Sequence, residues 1–204
     1  MHKTRQAAVI LAGGHSRRLG GGDKCLLELG GGVILDQVIA RLSPQAAPLA
    51  LNANGDPARF ARFGLPVLAD LAPGQPGPLA GVHAAMTWAA AQGAETVVTV
   101  AADTPFFPAR LVEQLGCAAG PASIVLAVTP GPTGALEWHP TFGLWPVTLR
   151  AQLEEALRRG QRKMLEFAQE HGARPVLFDA EQDPFFNINT AADLVLAQRR
   201  AAQP

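Results

Sequence analysis

The residues best suited to chemistry lie early in the chain, in Leu11-Ala12-Gly13-Gly14-His15-Ser16-Arg17-Arg18-Leu19-Gly20-Gly21-Gly22-Asp23-Lys24. Glycines permit positive φ and let backbone N–H groups approach a polyphosphate without Cβ obstruction. Arg17, Arg18 and Lys24 supply charge to neutralise it, arginine through two-pronged contacts. On residues alone the stretch reads either as an anion cradle or as a glycine-rich turn with solvated arginines. Two other phosphate loops are excluded: Lys24 follows Asp23 rather than preceding Ser or Thr after a Walker-type spacing, and GxGxxG is absent.

Later carboxylates and amides are the other candidates. Asp103, in Ala102-Asp103-Thr104-Pro105-Phe106, offers a hard oxygen ligand for magnesium or, equally, the start of a turn. Asp70 and the amides of Asn52 and Asn54 have the same two readings, ligand contact or local turn. Asn187 and Asn189 flank Ile188, so an extended segment puts both amides on one face, toward a ligand or toward backbone groups before a closing helix. Arg162-Lys163, just ahead of a helical run, could hold a second anion or form a solvated basic turn. His139, before Pro140, has no Ser or Cys nucleophile with an orienting third group and is assigned no role. Cys25 and Cys117 form no CxxC and are both expected to pack.

These residues need a scaffold. Apolar runs at 7–11, 48–51, 66–69, 96–101, 123–128 and 175–178 read as buried strands, and segments 34–42, 57–63, 80–91, 108–115, 149–157 and 164–170 have helical period. Strand and helix alternate through the first two thirds. The expected fold is α/β: a Rossmann-like, mostly parallel sheet with helices on both faces, three layers deep, with its ligand crevice beyond the carboxyl ends of the strands. Thr190 with Asp193 predicts a capping box ahead of Leu194-Val195-Leu196, and Arg199-Arg200 near that helix's end oppose its dipole.

The 204 residues suit one domain, with a nucleotide-binding half over about 1–110 and a second-substrate half over about 111–204. A 48% hydrophobic content excludes a disordered chain. Lys plus Arg and Asp plus Glu stand at 17 each, so no global field draws in nucleic acid or anionic lipid and any anion needs a local site. The apolar run after Met1-His2-Lys3-Thr4-Arg5 stops at Gly13-Gly14, too short to target or span, and no other stretch reaches the roughly 20 residues a bilayer requires. The expectation is a monomer in a reducing cytoplasm, with no nucleic acid or membrane partner.

The order of residues, LAGG, then Ser, Arg-Arg, a hydrophobic residue, Gly and finally Asp23-Lys24, resembles the signature of nucleotidyltransferases that activate a phosphate with a nucleoside triphosphate. Asn52 in LNAN, Asp70 in LAD, Gly77-Pro78-Leu79-Ala80-Gly81, Asp103 in ADTPF, His139-Pro140-Thr141 and Asn187-Ile188-Asn189-Thr190 come in the order seen in the molybdenum cofactor guanylyltransferases. The resemblance spans residues 7–196. It implies transfer of GMP from GTP to the terminal phosphate of molybdopterin, with pyrophosphate released, Mg2+ required, and transient contact with other proteins of molybdenum cofactor synthesis or with recipient molybdoenzymes. It also implies nucleotide contacts by Leu11, Ala12, Gly13, Lys24, Asn52, Asp70 and Asp103, with Asp103 as the metal ligand. Beside these, Gly14 of the loop and the Asn187–Asn189 pair are read as further nucleotide contacts, and Lys24, Asp103 and Arg18 as the catalytic set, with the choice between Arg17 and Arg18 for the phosphate left open. One departure stands out: where relatives carry Gly-Lys-Pro after Glu28-Leu29-Gly30, this chain has Gly31-Gly32-Val33 and lacks a cation. The related cytidylyltransferases, sugar-phosphate nucleotidyltransferases and a catalytically silent nucleotide-binding protein are the competing readings.

Overall fold

The computed structural model describes residues 6–13, 22–71, 77–120, 122–131, 134–179 and 183–202. In chain order the elements are β1 (Ala7–Leu11), a 3₁₀ turn (Lys24–Leu26), β2 (Glu28–Leu29), β3 (Gly32–Val33), α1 (Ile34–Leu42), β4 (Leu49–Asn52), a second 3₁₀ segment (Pro57–Phe63) and β5 (Val67–Leu68). They continue with α2 (Pro78–Ala91), β6 (Thr96–Ala101), α3 (Leu111–Ala118), β7 (Val125–Pro130), β8 (Leu136–Pro146), a third 3₁₀ turn (Val147–Leu149), α4 (Arg150–Arg158), α5 (Met164–Glu170), β9 (Arg174–Leu177) and α6 (Ala191–Ala201).

Seven strands form one sheet in the order β5-β4-β1-β6-β8-β7-β9. Strands β5, β4, β1 and β6 run parallel, β7 and β9 pair in parallel, and β8 lies antiparallel to both its neighbours. The sheet is thus mostly parallel, and its interior strands are near-continuous Val, Ile, Leu and Ala because both faces are covered. Alternation along β1 sorts the two layers. Ala8 and Ile10 join the core under α1 and α3, whereas Ala7 and Val9 join the core under α2, α4 and α5. Where β6 and β8 meet, buried Thr99 accepts the Trp145 indole N–H at 2.9 Å, so the polar pair inside the sheet is satisfied.

Three sequence expectations change. Segment 57–63 has helical period but forms a 3₁₀ segment, with Pro57 in its first turn and the rings of Phe60 and Phe63, one 3₁₀ turn apart, tilted against each other at 6.4 Å between centroids. Cys117, expected to pack, is exposed: α3 turns Leu111, Val112 and Leu115 inward, which rotates position 117 outward. Strand β8 is absent from the sequence reading because Pro140, Gly143 and Pro146 interrupt its pattern. The Gly31-Gly32-Val33 departure also finds a structural reason. Gly30 (φ 61°) and Gly31 (φ 82°) form the tight turn joining β2 to β3, and two positive φ values are what such a hairpin turn demands. Leu29 and Ile34 then pack with Ile188 and Ala197, docking α6.

Candidate active site

Strand register levels the candidate residues along one edge. Leu11 pairs with Asn52 on one side and Ala101 on the other, and Asn52 pairs with Leu68. The carboxyl ends of β1, β4, β5 and β6 are therefore flush: β4 ends on Asn52, and the chain just beyond the other three carries Ala12-Gly13, Asp70 and Asp103. This is the crevice expected of a parallel sheet. Leu11 is half-buried. The Ala12 N–H is spent on the Asn52 carbonyl at 2.8 Å, while Gly13 is exposed with open space where a Cβ would be. Gly14, Arg17 and Arg18 lie outside the described residues.

At the first of two clusters, Lys24 Nζ sits 2.6 Å from Asp103 Oδ2 and 2.7 Å from Asn189 Oδ1. Lys24 is only 9% exposed. Three local devices converge on it. The 3₁₀ turn buries Cys25, whose thiol is pushed up to about 12 chiefly by burial and then by Asp23, so it is an inert anchor. The Ile188 N–H donates to the Asp103 carbonyl at 3.0 Å, clamping the amide segment to the end of β6. The capping box then does two jobs. Asp193 accepts from the Thr190 N–H at 2.8 Å and from the Asn189 N–H at 2.9 Å, fixing the backbone from which the Asn189 amide reaches Lys24. Those N–H donors hold the Asp193 carboxyl below its ordinary range.

The second cluster surrounds Asp70. Asn52 Nδ2 donates to Asp70 Oδ1 at 3.0 Å and to the Leu68 carbonyl at 3.1 Å. Asn54 Nδ2 donates to Asp70 Oδ2 at 2.8 Å, and Asn54 Oδ1 accepts from the Asp70 N–H at 2.9 Å. The carboxylate is thus fixed at both oxygens and keeps lone pairs for N–H or O–H donors of a ligand. Helix α2 presses on the same site. A Cβ on Gly81 would collide with Asn52 Oδ1 and lie 3.1 Å from Leu11 Cδ2, so only glycine admits this approach.

Beyond β6, on the same edge, the carboxyl end of β7 and the start of antiparallel β8 enclose a cavity of about 710 Å³. Its walls include Thr104, Trp138, His139, Phe142, Phe185 and Asn187. His139 stacks on Phe185 at 4.4 Å between ring centroids, and its Nε2 is 2.8 Å from Thr129 Oγ1. Burial keeps the imidazole below its ordinary pKa, hence neutral. Sequence reasoning assigns His139 no role and does not single out Trp138, Phe142 or Phe185; aromatic residues scattered over 48 positions carry no local spacing. Asn187 faces this cavity and Asn189 faces Lys24, so the two amides divide between neighbouring sites.

Arg162 and Lys163 part company. Arg162 Nη1 donates to the carbonyls of Leu157 and Gln161 at 3.1 and 3.0 Å, and its side chain lies against Gly77 at the head of α2. Lys163 pairs with Glu166 on the surface. Among the described residues no group of three or more His, Cys, Asp or Glu could hold a metal by itself, and no helix is long and apolar enough to cross a membrane.

The comparisons with known proteins agree with this geometry. Residues 8–174 match the model of the MobA-like NTP transferase domain. The molybdenum cofactor guanylyltransferase of Mesorhizobium japonicum is 49% identical over 201 residues, covering 95% of this chain and 94% of that one. The protein of the same name from Acidiphilium cryptum is 51% identical over 192 residues, covering 94% and 93%. Among solved structures, the molybdopterin-guanine dinucleotide biosynthesis protein A of Archaeoglobus fulgidus superposes with a TM-score of 0.73 at 25% identity, covering 97% of this chain and 99% of that one. A 2-C-methyl-D-erythritol 4-phosphate cytidylyltransferase from Thermus thermophilus shares the fold at a TM-score of 0.71 and 20% identity, covering 98% and 100%. The chain belongs to the MobA-like NTP transferase family and, within it, to the molybdenum cofactor guanylyltransferases.

Proposed function

We propose that this protein transfers GMP from GTP to the terminal phosphate of molybdopterin, forming the guanine dinucleotide cofactor and releasing pyrophosphate. The observation that carries this reading is the position of Lys24, Asp103 and Asn189. They stand at the seam between the Asn52–Asp70 cluster and the aromatic cavity, one side suited to a nucleotide and the other to a flat pterin. An oxygen of the pterin phosphate attacks the α-phosphorus of GTP, a new P–O bond forms, and the bond from the α-phosphorus to the β-phosphate bridging oxygen breaks. No covalent enzyme intermediate is needed, so the protein contributes positioning and charge.

Asp70 and Asn52 hold the nucleoside end. Lys24, with Arg18 or Arg17 from the glycine loop, balances charge on the departing pyrophosphate. Asp103 fits a magnesium ion. It is a hard carboxylate at the mouth of the crevice that belongs, among the described residues, to no group of three or more His, Cys, Asp or Glu, and magnesium binds through one or two carboxylates completed by substrate phosphates and water. Bound there, the ion supplies Lewis-acid neutralisation of the phosphates. Asn189 steadies Lys24, while the cavity, where His139 stacks on buried Phe185, offers a part-aromatic wall to a bicyclic heteroaromatic. The half at 111–204 supplies this second pocket. Arg162 lies against Gly77 at the head of α2, the helix that presses on the Asn52–Asp70 cluster and not on the aromatic cavity, so its place is on the nucleotide side: Arg162→Ala should weaken GTP at least as much as molybdopterin, and a loss confined to molybdopterin would move it to the pterin phosphate.

The test is pyrophosphate release from GTP and from CTP in the presence of molybdopterin and magnesium, preceded by thermal unfolding with each nucleotide. GTP at 100 times its dissociation constant should stabilise the protein by about 2.7 kcal/mol. That corresponds to roughly 5–11 °C for a chain of this length. Stabilisation and turnover with CTP instead would make the product the cytosine dinucleotide, and stabilisation by GTP without pyrophosphate release would leave a binding protein rather than an enzyme.

A further inference from the structure

Arg59 has no part in the sequence signature, yet its guanidinium is one of the most completely engaged polar groups at the crevice. Nε pairs with Asp23 Oδ2, Nη1 donates to the Asp56 carbonyl and Nη2 donates to the Asn54 carbonyl. The head lies over the ring of fully buried Phe60 at 4.6 Å from its centroid. Gly55, at φ 85°, wraps the guanidinium so closely that a Cβ there would lie 3.2 Å from Nη1. The Arg59 and Asp23 side chains are 27% and 13% exposed, unlike the surface pairs at Arg110, Arg158, Arg159 and Lys163. Such a three-point clasp on a planar cation is a fixed structural element rather than a solvated contact.

Its partners lie on both sides of the nucleotide position. Asp23 immediately precedes Lys24, which answers to Asp103, and Asn54 supplies the amide that locks Asp70. We propose that Arg59 is a positioning residue for the nucleoside triphosphate. It cancels the Asp23 carboxylate next to the phosphate end and holds the Asn54 loop that orients Asp70 at the nucleoside end. Without Arg59, Asp23 becomes an uncompensated anion that repels the triphosphate and competes with it for Lys24. The inference rests on the function proposed above, which puts the triphosphate at Lys24.

The test is the GTP dissociation constant by isothermal titration calorimetry, with magnesium and without pterin, for wild type, Arg59→Ala, Asp23→Asn and the double variant. Arg59→Ala should weaken GTP about tenfold, the size of one screened charge repulsion near a protein surface. Adding Asp23→Asn should restore affinity to within about threefold of wild type, because the charge that needed masking is gone and only the hold on the Asn54 loop is still missing. In turnover, Arg59→Ala should raise KM for GTP while kcat changes little, a split that a merely structural defect would not produce. GTP affinity in Arg59→Ala equal to wild type, or a double variant as weak as Arg59→Ala, overturns the proposal. Should Arg59→Ala fail to fold, Arg59→Gln with and without Asp23→Asn carries the same comparison. Failure of wild type to bind GTP would instead overturn the proposed function, and this inference with it.

Discussion

Replacing Lys24 with methionine keeps all but the last atom of an unbranched side chain and removes its charge, with opposite effects on fold stability and on metal binding. The ammonium is 2.6 Å from Asp103 Oδ2, with side-chain exposures of 11% and 21%. That is intermediate between surface pairs, worth up to about 1 kcal/mol, and fully buried ones, whose disruption costs about 3–5 kcal/mol. Losing it should therefore cost about 2 kcal/mol, a fall of roughly 4–8 °C in unfolding midpoint. The same contact is what a divalent cation must displace to reach Asp103. Removing the competitor should then tighten metal binding in the absence of nucleotide by about 30-fold, since each 1.4 kcal/mol is a factor of ten. The assay is titration with Mn2+, free ion read by electron paramagnetic resonance, on wild type, Lys24→Met and Asp103→Asn. Lys24→Met should bind Mn2+ more tightly while binding GTP more weakly, and Asp103→Asn should bind Mn2+ least. Equal Mn2+ affinity in wild type and Lys24→Met would refute the reasoning: either Asp103 is not the metal ligand or the ion pair is not the resting state of the site.

Asp103→Asn should lower pyrophosphate release by more than about a hundredfold while the protein stays folded, because the carboxylate lies at a strand end rather than in the core; turnover near wild type in magnesium would reassign the metal. Gly81→Ala forces a Cβ into Asn52 Oδ1, so it should cost about 1–3 kcal/mol and weaken GTP by disturbing Asp70, and an unchanged midpoint with unchanged GTP affinity would show that α2 gives way freely. Burial holds both His83 and His139 below the ordinary histidine pKa. The unfolded chain then takes up protons first as pH drops below about 6.5, so stability should fall with decreasing pH, by up to about 1.4 kcal/mol per pH unit per group. Unfolding midpoints from pH 7.5 to 5 should decline less steeply in His83→Gln and His139→Gln than in wild type, and parallel curves would mean the imidazoles already titrate normally.

Local repetition is what makes part of this fold legible in the sequence. The apolar runs of β1 and β6 and the periodic segments of α1 and α5 fall where the pattern puts them, because a buried parallel strand and a one-sided helix each leave a signal within a few residues. Strand β8 leaves none. It carries Pro140, Gly143 and Pro146, which read as punctuation, and it is held by antiparallel pairing of 143–146 with Thr96–Thr99, whose inner pair, Thr99 with Gly143, is 44 positions apart in the chain. The aromatic cavity depends on β8 and is invisible in the sequence for the same reason. Arg59 is hidden likewise, since its meaning comes from Asp23, 36 residues away. Asn52, Asp70 and Asp103 can be picked out as residues, but their division into two clusters is a property of strand register.

Local and distant order meet at Thr190. The Thr190–Asp193 box is a helix-start signal readable in four residues, and by itself it says only where α6 begins. In the folded chain Asp193 also takes the Asn189 N–H, Asn189 reaches Lys24, and Ile188 ties the segment to the Asp103 backbone. A cap worth about 1 kcal/mol to a helix thus also sets the position of a lysine 165 residues earlier in the chain. The chemistry at the sheet edge and the stability of the last helix are therefore coupled through one carboxylate, and a change that frays the start of α6 reaches Lys24 without touching it.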